Sequence, residues 1–260
     1  MSIHKEKFTE IADAIRSKTG ETGLIKPSDF AGKVNEVFKA GAKSEYDSFW
    51  DAFQHNGKRT DYRHAFRGIG NFDAGWNEEI FKPKYDIKPL QAQSIFYNTR
   101  FLAIDLRPAQ FKERFGVEFD LSNSTSLDQF LSDSAIYAVG TINASKLSNR
   151  LYYVFFGAIN LHTIEKLILP MAAEPSMNTT AAFMNCNALT TILEIEGVFG
   201  NSFSFSYSPL GKDTIMRIIN ALADYSDGSY KKTLTLGTKN LAKLTDAEKA
   251  VATEKGWTLA

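Results

Sequence analysis

The sequence is short of several things, and each shortage closes off a class of function. It has one cysteine, Cys186, in 260 residues, so no disulfide can form within the chain. No histidine is placed beside it by spacing, and a free cysteine of this kind is expected to be a small buried filler. No stretch reaches the roughly 18 apolar residues that a membrane span needs. The opening Met1-Ser2-Ile3-His4-Lys5-Glu6-Lys7 lacks the apolar core of a secretory signal. With Met1 as the native start, the expectation is a protein made in the cytoplasm that stays there or leaves when the cell lyses, with no membrane insertion. A surplus of one charge is missing too. Thirty basic and thirty acidic residues cancel, and no basic run is longer than a pair such as Lys231-Lys232. Without clustered positive charge, nucleic acid is not an expected partner.

Histidine is scarce as well: His4, His55, His64 and His162 are all there is. His55 and His64 lie near Asp51 and Asp61 in sequence, but no spacing of the H-E-x-x-H or C-x-x-C kind appears, so no metal site is assigned. Gly57-Lys58-Arg59-Thr60 fails as a phosphate loop, because Ala52 stands where the first glycine belongs and Arg59 follows the lysine. Gly68-Ile69-Gly70 is followed by Asp73 instead of the third glycine of a dinucleotide loop. Asp47 and Asp51 are one helical turn apart, but Phe49, Trp50 and Phe53 beside them read as the dry side of an amphipathic helix, which makes the acids its wet side. No catalytic, cofactor-binding or metal residue is assigned, no cofactor is expected, and ligand-binding residues are left unassigned. The sequons at Asn123, Asn143 and Asn178 read as incidental.

What the chain does have is a repeat. Phe130 is followed by Ile136, Val139 and Ile142; Phe155 by Leu161, Ile164 and Leu167; Phe183 by Leu189, Ile192 and Ile195. An aromatic opens each unit, and aliphatics follow six, nine and twelve positions later, with units starting 25 and 28 residues apart. A period in the twenties marks a leucine-rich-repeat type solenoid, in which each unit supplies a turn and a short strand and buries its apolar side against its neighbours. Ile95, Phe101 and Ile104 make a weaker first unit, and residues 107–129 read as an insertion between units.

The fold expected is α+β: a short irregular leucine-rich-repeat-like β-solenoid over 91–208, with a helical hairpin before it and an α/β cap after it. The hairpin covers 1–40, where Phe8, Ile11, Ala12 and Ile15 share one helix face and Pro27-Ser28-Asp29 restarts a second helix. An aromatic-rich, turn-rich segment covers 41–90. Ser202–Ser208 alternates with one aromatic face and predicts a strand. The cap covers 209–260. It holds a helix face at Ile215, Ile218, Ile219 and Leu222, and a turn at Asp227-Gly228. A strand is expected over 233–236 and a capping box from Thr245 to Glu248. Gly256 is placed as a left-handed helix stop, and a last strand follows at Trp257-Thr258-Leu259.

Several segments resemble a known family. Phe183-Met184-Asn185-Cys186-Asn187-Ala188-Leu189-Thr190-Thr191-Ile192 resembles the BspA-like leucine-rich repeats of bacterial surface and phage-associated proteins. Ile11-Ala12-Asp13-Ala14-Ile15-Arg16-Ser17-Lys18-Thr19-Gly20 looks like a segment at the start of phage tail and baseplate proteins. Leu234-Thr235-Leu236-Gly237 with Lys255-Gly256-Trp257-Thr258-Leu259 is similar to the end of prophage repeat proteins. The resemblance implies a parallel-strand solenoid and a virion or adhesion role, and it brings no catalytic residues. The expectation is therefore a non-enzymatic virion protein of the tail tip or baseplate, assembled in the host cytoplasm. Its partners would be other tail proteins and a host-surface glycan or protein, and symmetric tips suggest a homo-oligomer. The alternatives are a cell-surface adhesin of the same repeat class and, third, a glycan-acting enzyme using a carboxylate pair.

Overall fold

The aliphatics of the repeat become strand residues in the computed structural model of the chain, which describes Asp13, Arg16 and residues 51–54, 57–67, 83–99, 104–148 and 150–260. The chain divides into two compact units, Met1–Asn56 and Gly57–Ala260. In the first, Asp13 and Arg16 are helical and form an ion pair one turn apart, and residues 51–54 are helical. The rest of the expected hairpin over 1–40, and much of the aromatic-rich stretch, lies outside the described residues.

The second unit is mixed α/β with two parallel sheets. In the first sheet, β1 (Asp105–Leu106), β2 (Ala138–Asn143), β3 (Thr163–Ile168) and β4 (Thr191–Glu196) lie side by side in chain order. Val139 pairs with Ile164 and Ile164 with Ile192; Ile142 pairs with Leu167 and Leu167 with Ile195. The spacing of nine and twelve after the aromatic is thus a register: it puts like side chains in columns, and all but Ile195, on the edge strand, are fully buried. A column of aliphatics is favoured because each strand buries a face only its neighbours can cover.

Between strands the chain returns through turns that are themselves stacked. Phe66, Phe96, Leu131 and Phe155 donate their N–H groups to Ile95, Phe130, Val154 and Ala182 of the following turn, at 2.9, 3.2, 2.9 and 3.1 Å. This register places Leu131, not Phe130, in line with Phe155 and Phe183, because the path from turn to strand is one residue shorter in that unit. Phe130 still fills core, edge-on to Phe96 at 5.9 Å. The rings of Phe66 and Phe96 stack at 5.5 Å and those of Phe155 and Phe183 at 5.3 Å. Two residues before each of these positions the backbone is left-handed, at His64, Ser94, Gln129, Tyr153 and Ala181. Two residues after, it is left-handed again at Asn98, Asp133, Gly157 and Asn185, residue types that tolerate that conformation best. Gly157 is required there: a Cβ would lie 2.3 Å from Asp133 Oδ1.

The stacking begins before residue 91, since Asp61 bridges Gln91 and Gln91 bridges Ser126. The stretch 107–129 holds α1 (Pro108–Phe115), with proline at the helix start and Gly116 closing its end, and Phe111 buried. It then rejoins the stack, where Phe119 bridges Ile87.

The second sheet is β5 (Phe203–Ser204), β6 (Lys232–Thr235) and β7 (Trp257–Leu259), again parallel and in chain order. The strand expected over 202–208 is only two residues long. Ser206 N–H is taken by Ser204 Oγ at 3.3 Å and Ser208 N–H by Phe205 O at 2.9 Å, so a local turn outcompetes the ladder. Helix α2 (Lys212–Asn220) buries Ile215, Ile218 and Ile219 and covers the β4 edge: Thr214 Oγ1 accepts from Ile192 N at 3.2 Å. A single turn, α3 (Thr238–Leu241), precedes α4 (Asp246–Glu254). The capping box forms as its spacing predicts, with Thr245 and Glu248 each accepting the other's N–H, and Gly256 is left-handed.

Candidate functional site

The main-chain bonds that tie turn to turn thin at Leu127 and Gln129, whose N–H groups meet no main-chain acceptor among the described residues, and stop altogether one turn after Leu151. Leu151, Tyr153, Phe155 and Gly157 donate to Asn178, Thr180, Ala182 and Met184. One turn later the residues in register with those donors are Thr179, Ala181, Phe183 and Asn185. Among the described residues, none of their N–H groups meets an acceptor. Side chains bridge instead. Thr179 Oγ1 donates to Ser202 O at 2.6 Å, Asn201 Nδ2 to Met177 O at 2.9 Å, and Lys232 Nζ to Pro175 O at 2.7 Å. In the core the rings of Phe183 and Phe205 remain in contact at 4.3 Å. The hydrophobic interior is continuous where the backbone ladder is not.

The break opens a groove of about 790 Å³, walled by residues 176–184 on one side and by β5 and β6 on the other. Thr233 and Thr235 reach it because they alternate with Leu234, which points into the core. Their hydroxyls and that of Thr180 have no partner among the described residues. Tyr207 and Met184, 58% and 43% exposed, are the large apolar side chains the lining shows to solvent. Acids and bases make up 23% of the chain, yet among the described residues none lines the groove. Its chemistry is that of neutral donors and acceptors beside one ring.

Comparison of the chain with family models, curated proteins and solved structures finds no match. The groove is read from its own geometry.

The residues weighed for chemistry from the sequence are not drawn together. Among the described residues no group of three or more His, Cys, Asp or Glu side chains could hold a metal ion, and no helix is long and apolar enough to cross a membrane. His4, His55, Asp47, Gly68 and Gly70 lie outside the described residues. Asp61 is forked by Arg63 at 3.0 and 2.6 Å, and that hydrogen bonding holds its carboxyl down at about 2. His64 is exposed at a left-handed turn position. His162 Nδ1 lies 2.6 Å from Asn160 O, and its ring stacks on Tyr137 at 4.5 Å.

Cys186 is fully buried; burial pushes its thiol up to about 12, and Sγ donates to Phe155 O at 2.9 Å. Thr99 makes the same kind of bond, 2.5 Å to Phe66 O, at the matching position three turns earlier in the stack. A small residue fills this position in each of these turns, with Ser134 and Ala158 between, though only Thr99 and Cys186 reach the previous turn's carbonyl; a buried thiol so placed is a poor nucleophile. Of the three sequon asparagines, Asn143 is buried with Oδ1 bonded by Ser145 Oγ, and Asn123 Oδ1 is held by Lys146 Nζ. Asn178 Oδ1 accepts from Thr180 N, and the residue lines the groove. The sequence shows the Thr233–Leu236 and Ser202–Ser208 alternations that line the groove. It carries no signal that the ladder breaks between them and the turn before.

Proposed function

We propose that the chain is a short leucine-rich-repeat-like solenoid that acts by contact, as a component of a phage tail tip or baseplate meeting a host surface or a neighbouring subunit. One observation carries the solenoid and contact reading: successive turns stacked in one register from Tyr62 to Met184, with aliphatic and phenylalanine columns inside. Such a stack spends its apolar side chains on the interior and offers an extended outer surface for binding. Placement in a virion rests on the resemblance of residues 11–20 and 183–192 to phage-associated proteins. The second reading, a cell-surface adhesin, rests on the same repeats.

The test is location. Particles purified on a density gradient from a culture that encodes the chain are probed with an antibody to it. Co-migration with the particles at a fixed ratio to a tail protein is the expected result. Recovery with the cell envelope alone would favour the adhesin, and recovery with neither would end both readings.

A further inference from the structure

We infer that the groove between residues 176–184 and strands β5 and β6 is a binding site for a neutral glycan. This rests on the contact reading and names the class of ligand that one surface would take. The first argument is the lining. The hydroxyls of Thr180, Thr233 and Thr235, which have no partner among the described residues, can each donate and accept, which suits a ligand covered in hydroxyl groups. The second is the backbone. Thr179 and Ala181 line the groove, and among the described residues their N–H groups lack the carbonyl acceptors that Leu151 and Tyr153 meet one turn earlier. Sugar hydroxyl, ring and N-acetyl oxygens can fill that role, since a main-chain donor is costly to leave unmet away from water. The third is the exposed ring of Tyr207, whose flat apolar face offers a platform for the C–H face of a sugar.

Two other classes of occupant fit less well. An anionic ligand would leave its charge unpaired, since among the described residues no basic one lines the groove and Lys232 Nζ is held by Pro175 O and Asn201 Oδ1. An extended peptide adding a strand needs about 4.8 Å of clearance to each neighbour. The bonds from Thr179 to Ser202 and from Asn201 to Met177 tie the two walls directly and leave no such slot at that end.

The test is a binding screen with the full chain. The probes are neutral hexose and N-acetylhexosamine oligosaccharides, sialylated and phosphorylated counterparts, and an alternating Val-Thr peptide. The variants are Thr235→Val and Tyr207→Ala, with Tyr230→Ala as an exposed aromatic control outside the lining, and melting checks that each is folded. The result expected is binding of at least one neutral oligosaccharide, weakened about fivefold by T235V and about tenfold by Y207A, and unchanged by Y230A. Absence of neutral binding would overturn the proposal. So would neutral binding that ignores both groove variants, or groove-dependent binding of the anions or the peptide. None of these results alters where the chain sediments, so failure here leaves the particle test standing.

Discussion

From Tyr62 to Met184 each turn holds the next by main-chain bonds, while from Phe203 to Leu259 much of that task passes to side chains. In the stack the donors are backbone N–H groups at matched positions, and the side chains beneath them are nearly interchangeable rings and aliphatics. In the second sheet Trp257 Nε1 reaches Ala223 O, Tyr225 Oη reaches Gly200 O, and Asn240 Nδ2 reaches both Ser208 O and Leu236 O. Lys255 Nζ serves Ile219 O, Asn220 O and Leu222 O, closing the end of α2 in place of a glycine cap. Uniform turns can share one bonding scheme. Where turns give way to helices of different length, each orphaned carbonyl needs its own partner. The groove lies where the first scheme ends and the second begins.

That contrast can be broken by substitution. Phe155→Ala removes a ring from the centre of the stack and should cost about 3–5 kcal/mol, the largest effect expected, read by denaturant unfolding. Gly256→Ala, in the second sheet, forces a side chain into a left-handed position with its Cβ 2.4 Å from Tyr225 O. It should cost about 3 kcal/mol by the same measurement. Asn240→Ala strands Leu236 O and leaves Ser208 O with the Leu210 N–H alone, and should cost about 2 kcal/mol. If N240A is neutral, the side chains of the second sheet do not have the role assigned to them. Thr245→Ala removes the N-cap of α4 and should cost about 1 kcal/mol.

The smallest effect is one of pH. Glu248 is held down at about 2 from an ordinary 4.5, first by the Thr245 N–H and then by Lys212. A carboxyl lowered on folding stabilises the protein above its unfolded value, and that contribution is lost as pH falls from about 4.5 toward about 2. Glu248→Ala should therefore lower Tm at neutral pH, and the gap to the parent should close by the bottom of that window. A gap that persists unchanged at low pH would contradict the assignment.

The repeat was legible in the sequence because its strand positions obey a fixed spacing, and fixed spacing is what parallel register demands. The capping box and Gly256 were legible for the same kind of reason, since each is a local rule. The earliest turn, at Tyr62 and Phe66, was not: its aromatics were lost among those of 41–90, and the bridge from Asp61 to Gln91 is a pairing between distant residues. The placing of Leu131 in the ring column was hidden because Phe130 is the better-looking aromatic and only the backbone decides between them. The left-handed pair around each ring leaves a trace in Asn98, Asp133, Gly157 and Asn185, but the companion positions are His64, Ser94, Gln129, Tyr153 and Ala181, which share no chemistry. The groove was illegible for a plainer reason. It is made by four bonds that the turn of Leu151 to Gly157 has in full and this one lacks.

Hydrogen exchange measured residue by residue tests that claim most directly. Leu151 and Tyr153 donate into the ladder, and Thr179 and Ala181 occupy the same positions one turn later without an acceptor. The first pair should exchange about 100-fold or more slowly than the second, a difference of ~2.7 kcal/mol in opening free energy. Equal protection of both pairs would mean that the ladder runs on unbroken and that there is no groove of this kind.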